Sequence, residues 1–215
     1  MEGDVCLNET GREHHLQLLE KKLKEDKPGL DAQLKMTPRP RPGHLKYDEV
    51  DASCARAGVL VLLYLWNDSL FLALTRRTEQ VRFHQAQISF PGGRQEPGED
   101  LVQTALRETE EELGVHPDLP RLLGMLTPLY IPPSNTCIHP VVAFLPERPE
   151  FIRAPKEVEE VIEVPLLHLR DPLNLHEEVW TIRGIPARVP FYLFKGHKIW
   201  GATAMVLAEF LEILG

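Results

Sequence analysis

Three glutamates with a spacing suited to metal binding stand close together in the chain: Glu108, Glu111 and Glu112. On a helix, positions i, i+3 and i+4 share one face, whereas Glu110 points elsewhere. Like charges in this arrangement repel by roughly a few tenths of a kcal/mol per pair, and a divalent cation would offset that repulsion. Carboxylates without Cys or His favour a hard ion, so Mg²⁺ is expected first and Mn²⁺ second. The alternative is an acidic helix face exposed to solvent.

The helix that must carry these glutamates is predicted over residues 100–113. Its apolar positions recur at i, i+3, i+4, i+7 and i+11, and the stripe that they form would face the core: Val102, Ala105, Leu106, Thr109 and Leu113. Gly114 is suited to the end of the helix. Gly92 and Gly93 let the backbone turn sharply and approach a ligand. Arg107 could orient a neighbouring carboxylate through a bidentate ion pair.

The spacing of these residues resembles the Nudix box. Gly93 is followed after five residues by Glu99 and, after seven more, by the run from Arg107 to Val115. Thr109 is a departure, because a bulkier aliphatic residue is common there. The resemblance implies the α/β class and the Nudix fold, an α/β/α sandwich with a mixed β-sheet, in which a loop–helix–loop binds a divalent metal against a diphosphate. The metal ligands that it implies are Glu108, Glu111 and Glu112, with Glu99 and the Gly93 carbonyl as helpers.

The segment before this box resembles the signature of coenzyme A-type Nudix hydrolases, which runs roughly LLTxRS, Arg, a small residue and then FPGG. The matching positions are Thr75, Arg77, Arg82, Phe90, Pro91, Gly92 and Gly93. Thr78 departs from the Ser or Ala of the signature, and Ala86 departs from its Gly. The resemblance implies that coenzyme A (CoA) or an acyl-CoA is hydrolysed to 3′,5′-ADP and (acyl-)4′-phosphopantetheine.

A CoA substrate carries a diphosphate and a 3′-phosphate, so it needs cations beyond the metal. Arg77 and Arg82 could supply forked donors to phosphate oxygens. The alternative is that these arginines pair with surface carboxylates such as Glu79. His84 is a further candidate for a hydrogen bond to phosphate. The remaining candidates for substrate binding are Phe90, Gly92 and Gly93.

Two later segments, 157–166 and 199–204, also resemble the CoA group, so the resemblance covers about residues 56–214. In related enzymes a glutamate outside the box acts as the base on the attacking water. Glu157 and Glu160 are the candidates here, and Glu111 is a rival within the box. The alternative for this acidic segment is a surface charge run, and for Trp200 it is core packing.

Two rival functions stay open. The first is Nudix hydrolysis of ADP-ribose, a dinucleotide or a nucleoside triphosphate, against which the CoA signature speaks. The second is a Nudix-fold binding module without catalysis. A site that has lost catalysis gains nothing from carboxylates that repel one another. The binding module is therefore disfavoured by the complete set of Arg107, Glu108, Glu111 and Glu112.

The composition limits the classes of partner that the chain is expected to bind. The 215 residues, 43% hydrophobic and 26% charged, suit one sizeable globular domain. A net charge of -8 gives no long-range attraction to nucleic acid or to an anionic membrane, so neither is expected as a partner. The longest apolar run, 58–66, is too short to span a bilayer. We expect a cytoplasmic location, and the family resemblance implies a homodimer.

Cys6, Cys54 and Cys137 are odd in number and widely spaced, which predicts free thiols in a cytosol-like compartment. Residues 1–50 are interpreted as an N-terminal extension, with an amphipathic helix over 12–26 and an exposed, proline-rich spacer over 37–43. Residues 51–215 form the predicted Nudix domain. Its predicted strands are 57–66, 69–75, 88–90, 122–129, 138–145, 180–182 and 191–194. Residues 161–169 mix strand and turn-like character, and a final apolar helix spans 203–214.

Overall fold

Five α-helices and eleven strands form within residues 9–25, 27–40, 53–78 and 87–215, which the computed structural model describes. The helices are α1 (Glu9–Lys24), α2 (Gly29–Gln33), α3 (Leu101–Leu113), α4 (Leu166–Arg170) and α5 (Gly201–Leu214). The strands are β1 (Ala55–Trp66), β2 (Ser69–Arg77), β3 (Ile88–Ser89), β4 (Gly92–Arg94), β5 (Arg121–Met125), β6 (Leu129–Ile131), β7 (Thr136–Leu145), β8 (Val158–Pro165), β9 (Leu175–Ile182), β10 (Ile185–Phe194) and β11 (His197–Trp200).

A mixed sheet of eight strands forms the centre of the fold. Its order is β3-β2-β1-β7-β5, with β4 beside β1, β6 beside β7 and β8 beside β2. β1 and β7 are parallel, and the other pairs described in this sheet are antiparallel. Strands β9, β10 and β11 form a separate antiparallel sheet. The mixed sheet predicted from the sequence is therefore confirmed.

Apolar side chains on the two faces of β1 enter two different cores, because successive residues of a strand point to opposite faces. Leu60 and Leu62 pack in a cluster with Leu113 of α3. Val61 and Leu63 belong to a cluster that contains much of α5. Helices therefore cover both faces of the sheet, and α3 occupies one face largely by itself.

The described part of the N-terminal extension packs against the rest of the chain. Leu19 and Leu23 of α1 are buried in the α5-side core. The exposed spacer expected over 37–43 holds only in part: Arg39 and Pro40 are exposed, whereas the start of the segment is buried. Thr37 is buried, and Arg39 exchanges two backbone hydrogen bonds of 2.9 Å with Arg188 of β10. Residues 41–43 and the boundary near residue 50 lie outside the described residues, so the division into extension and domain stays a prediction.

The cysteines also differ from the expectation of free thiols. Cys54 and Cys137 form a disulfide with their Cα atoms 5.9 Å apart. Cys54 immediately precedes β1 and Cys137 lies near the start of β7, and the parallel pairing of these strands brings the two residues together. They are separated by 83 positions in the sequence, so their spacing showed no pairing. Cys6 lies outside the described residues.

Smaller differences concern the later elements. Residues 161–169, expected to mix strand and turn-like character, are the end of β8 followed by the short helix α4, and β11 was not predicted. The predicted strand 122–129 is divided between β5 and β6. None of the helices in the described ranges is long and apolar enough to cross a membrane.

Candidate active site

Helix α3 is fixed at both ends by local sequence. Asp100 forms a capping box with Gln103, in which the Asp100 side chain accepts from the backbone N–H groups of Val102 and Gln103 and the Gln103 side chain accepts from the Asp100 N–H. This arrangement satisfies N–H groups that a helix start leaves without partners. Gly114 ends the helix with a φ of 71°, and its N–H donates to the Glu110 carbonyl at 2.8 Å.

The predicted core stripe of α3 is confirmed. Ala105, Thr109 and Leu113 are buried, and Val102 and Leu106 pack at the edge of the same cluster. The Thr109 hydroxyl donates to the Ala105 carbonyl at 2.7 Å, so the polar atom introduced at this usually aliphatic position is satisfied inside the helix.

With this stripe buried, the opposite face of α3 presents the acidic residues around one arginine, Arg107. Its guanidinium contacts Glu99 at 2.6 Å, Glu108 at 3.0 Å and Glu111 at 3.2 Å. It also donates to the Arg94 carbonyl at 3.2 Å. The hydrogen bond from Arg107 is the main cause that lowers the pKa of Glu99, and the same bond is the main cause that raises the pKa of Arg107. Arg107 therefore holds three candidate carboxylates in one cluster.

The carboxylate of Glu112 is the most deeply buried of the set, with the residue only 2% exposed. Burial, helped by the negative charges of Glu108 and Glu157, raises its pKa to about 8. Arg77 lies 3.7 Å away and the Gly92 N–H donates at 3.4 Å, and both oppose that shift. The pKa of Glu108 is also raised, first by burial and then by the charges of Glu111 and Glu157, against the effect of Arg107.

Gly92 and Gly93, at the start of the Nudix box, lie directly against these carboxylates. β4 pairs with β1, which sets Gly93 opposite Gly58 and Gly92 opposite Val59. A Cβ at position 93 would overlap the carboxylate of Glu108. Any side chain at position 93 would therefore displace the Glu108 carboxylate from its observed position.

The structure separates two of the glutamates proposed as the base. The segment before Glu157 is attached to the end of α3, where the Ala154 N–H donates to the Glu112 carbonyl at 2.9 Å. The negative charge of Glu157 is a minor cause of the raised pKa values of Glu108 and Glu112. Glu160 instead accepts a hydrogen bond of 3.1 Å from Arg76 and lies 3.5 Å from the His197 ring. These contacts place Glu160 on the Arg76 side of β8, and no described contact joins it to the cluster.

β8 contains a bulge between these two glutamates. Arg76 is paired with Glu160 and Arg77 with Val158, so Glu159 is an extra residue in β8. Glu159 and Glu160 both contact Arg76. Arg77 is the next residue of β2, so it points to the opposite face of the sheet and faces Glu112.

The remaining candidates fall into two groups. Phe90 is buried in the core on the α5 side, so its described role is packing next to the glycines. Trp200 is partly buried and makes an edge contact with Trp180 at 5.2 Å between ring centroids. Arg82, His84 and Ala86 lie outside the described residues, and their roles stay predictions.

Two contacts of the cluster were not foreseen from the sequence. Thr104 donates its hydroxyl to Glu99 at 2.9 Å, and the Glu96 N–H donates to the same carboxylate at 3.2 Å. Thr104 lies one helical turn from Asp100 and from Glu108, so helical periodicity could have placed it near the acidic face. These bonds fix Glu99 from the side away from Arg107.

The donor chemistry of the cluster fits a hard divalent cation. Oxygen ligands from carboxylates suit Mg²⁺ or Mn²⁺, and a cation would stabilise the charged forms of Glu108 and Glu112, whose pKa values burial raises. Within the described ranges, no three Asp, Glu, His or Cys side chains converge as around a metal. Arg107 binds Glu108 and Glu111 itself, so these side chains would turn toward the cation on binding.

Comparison with known proteins agrees with this geometry. Residues 55–185 match the family model described as NUDIX domain. The uncharacterized Nudix hydrolase NudL of Photorhabdus laumondii is 35% identical over 142 residues, which cover 66% of this chain and 75% of that protein. The human mitochondrial coenzyme A diphosphatase NUDT8 is 36% identical over 167 residues, which cover 75% of this chain and 66% of that protein.

A MutT protein from Methanosarcina mazei Go1 is among the similar solved structures, with a TM-score of 0.48 and 16% identity over 74% of this chain and 92% of that chain. The family model covers more than half of the chain, and its match begins in β1 and includes the whole of the acidic helix α3. The chain therefore belongs to the Nudix family of hydrolases, enzymes that cleave diphosphate bonds.

Proposed function

We propose that this Nudix hydrolase cleaves the diphosphate of CoA or an acyl-CoA and releases 3′,5′-ADP and (acyl-)4′-phosphopantetheine. The observation that carries the proposal is the position of Arg77. This residue of the CoA-type signature directs its guanidinium at Glu112, a candidate metal ligand in the Nudix box. A cation for substrate phosphate and a carboxylate for the metal thus share one site. The similarity to a human CoA diphosphatase supports the same substrate.

The acidic cluster would hold the metal through Glu108, Glu111 and Glu112, with Glu99 and the Gly93 carbonyl as helpers. A bound Mg²⁺ or Mn²⁺ would neutralise the diphosphate and lower the pKa of a coordinated water. Arg107 orients Glu99, Glu108 and Glu111 by its three ion pairs. Arg77, together with Arg82 and His84, would bind phosphate oxygens of the substrate.

Glu157 is the favoured base of this proposal, because the segment that leads to it is hydrogen-bonded to the end of α3 at Glu112. In the reaction, a water oxygen forms a bond to one phosphorus while the bridging phosphorus–oxygen bond breaks. The proton of that water passes to Glu157, and the bridging oxygen leaves on the second phosphate. Glu160 is a weaker candidate, since Arg76 and His197 engage it. Glu111 stays a rival, and its side chain is 57% exposed.

The test is a substrate panel incubated with Mg²⁺ or Mn²⁺ and separated by chromatography: CoA, acetyl-CoA, ADP-ribose, NADH, a diadenosine polyphosphate and dGTP. Fastest release of 3′,5′-ADP, and only with metal, supports the CoA proposal. A faster reaction with another compound would leave the Nudix hydrolase in place and exclude CoA as the preferred substrate. No cleavage of any compound would favour the non-catalytic binding module.

Two variants assign roles within this assay. Glu111→Gln should lower turnover by at least about 10²-fold if it is a metal ligand or base, and near-normal turnover would remove it from the mechanism. Arg82→Ala should raise KM for CoA more than for dephospho-CoA, because only CoA carries the 3′-phosphate. Equal effects on both compounds would exclude that contact.

We also propose that the enzyme is a homodimer. In the part of the chain that the structure describes, β9 is an outer strand of its sheet, and Leu175 and Val179 on it are 46% and 70% exposed. An outer strand with exposed apolar side chains is a site at which a second copy can add its own strand. Light scattering should give the mass of two chains, and Val179→Lys should reduce it to one. The cytoplasmic location and the absence of nucleic-acid partners stay predictions.

A further inference from the structure

The segment between β7 and β8 is docked on the end of helix α3. The Ile152 N–H donates to the Leu113 carbonyl at 2.8 Å, and the Ala154 N–H donates to the Glu112 carbonyl at 2.9 Å. The last carbonyls of a helix have no partners within the helix, so these two bonds satisfy groups that would otherwise need water. The segment that leads into Glu157 is thereby tied to the residue that carries the buried carboxylate, Glu112.

A second attachment holds the same segment from the side of β2. The Thr78 N–H donates to the Glu157 carbonyl at 3.0 Å, and the Thr78 hydroxyl donates to the Lys156 carbonyl at 2.9 Å. One residue therefore binds two successive carbonyls, which flank the Cα atom of Glu157. The Glu157 side chain is exposed, so its direction toward the cluster depends on how its backbone is held.

The position of Thr78 connects this attachment to the rest of the site. Thr78 follows Arg77 directly, and Arg77 faces Glu112 across the bulge in β8. Val158, completely buried, anchors the chain just after Glu157, and Arg153 donates to the Val158 carbonyl at 3.0 Å. The Thr78 hydroxyl adds the contact on the other side, at Lys156. A side chain without a hydroxyl at this position would keep the backbone bond and lose that contact.

We propose that Thr78 is a positioning residue, whose hydroxyl sets the carboxylate of Glu157 relative to Glu108 and Glu112. The inference rests on the proposed function, in which Glu157 accepts the proton of the attacking water. Threonine and serine both supply the hydroxyl, whereas alanine does not. Misplacement of a catalytic group by about 1 Å can cost about 10²-fold in rate, so one hydroxyl contact can control turnover here.

The experiment compares Thr78→Val, Thr78→Ser, Glu157→Gln and the double variant on whichever diphosphate the enzyme cleaves. Thr78→Val should lower kcat by about 10-fold with KM and melting temperature nearly unchanged, because binding groups are untouched. Thr78→Ser should restore most of the turnover. In the Glu157→Gln background, Thr78→Val should have no further effect, since the group that it positions is gone.

Thr136→Val is the matched control, because it also removes a hydroxyl that donates to a backbone carbonyl, at 3.2 Å from Ser134, away from the acidic cluster. Wild-type kcat in Thr78→Val, or an equal loss in the Glu157→Gln background, would overturn the inference. If Thr78→Val fails to fold, Thr78→Ala gives the same comparison. Full activity of Glu157→Gln would instead remove the base from the proposed function, and no cleavage by the wild type would remove that function itself.

Discussion

Arg77 at the end of β2 points its guanidinium at Glu112 in α3, with 3.7 Å between Nη1 and the nearer carboxylate oxygen. The neighbouring Arg76 points away and contacts Glu159 and Glu160. The two adjacent arginines have different surroundings because successive residues of a strand point to opposite faces of the sheet.

This difference predicts unequal effects of two alanine substitutions. Arg77→Ala should raise KM for the diphosphate substrate and lower kcat/KM by at least about 10-fold, since a phosphate-binding cation is lost. Arg76→Ala removes partly exposed ion pairs and should leave kcat/KM within about 2-fold. Steady-state kinetics of both variants with the same substrate provides the test. Equal losses in the two variants would show that Arg77 has no special part in binding.

Glu112→Gln should change the stability and the turnover of the enzyme in different directions. The buried carboxylate has a pKa of about 8, so its charged form is unfavourable in the metal-free protein. The amide keeps the size of the side chain without a charge, and the melting temperature without metal at pH 8 should therefore rise or stay constant. Turnover should fall by at least about 10²-fold, because a metal ligand is lost. Glu110→Gln, at an exposed position of the same helix, is the control for both measurements.

Gly93→Ala tests the close contact between Gly93 and the Glu108 carboxylate, which both belong to the Nudix box. The added methyl would overlap the Glu108 carboxylate and displace it. We expect turnover to fall by at least about 10-fold, as for a misplaced catalytic group. Gly184→Ala is a control with open space around the added carbon but a φ of 81°, so it should reduce stability and spare turnover. Unchanged activity in Gly93→Ala would mean that Glu108 can move without consequence.

The buried side chain of His139 predicts that the folded protein loses stability at low pH. Burial, with the charge of Arg56 as a second cause, lowers its pKa from 6.5 to about 4. The unfolded chain then takes up the proton first as the pH falls, so the stability present above pH 6.5 is lost between about pH 6.5 and 4. Each pKa unit corresponds to about 1.4 kcal/mol, which gives a loss of at most about 3 kcal/mol.

Chemical denaturation of the wild type and His139→Gln across this pH range measures that loss. The difference in unfolding free energy between the two proteins should change with pH. A constant difference would show that protonation of His139 does not oppose folding.

The local features of the site were accessible from the sequence. The stripe from Val102 to Leu113 and the three glutamates at i, i+3 and i+4 depend only on the period of a helix, which is the same in every protein. Gly114 at the helix end follows from the left-handed conformation that glycine adopts readily. Arg107 lies four residues before Glu111, so its contact with that carboxylate follows from the same period.

The distant contacts were not accessible in this way. Glu157 and Glu160 are three residues apart in one acidic segment, and nothing in their order distinguishes them. Only the folded chain distinguishes them: the segment before Glu157 is hydrogen-bonded to the end of α3, whereas Glu160 contacts Arg76 and His197. The disulfide between Cys54 and Cys137 likewise depends on β1 and β7 lying side by side.

The sequence by itself determined the Nudix helix, its buried and acidic faces, and the family, because these depend on spacing within a few turns of chain. Only the tertiary structure decided that Arg77 rather than Arg76 faces Glu112, that Glu108 takes the space left by Gly93, and that Thr78 holds the backbone beside Glu157. The physical reason is that strand register and a single extra residue set the direction of every side chain beside them. Register is set by packing of the whole sheet, which no short segment contains.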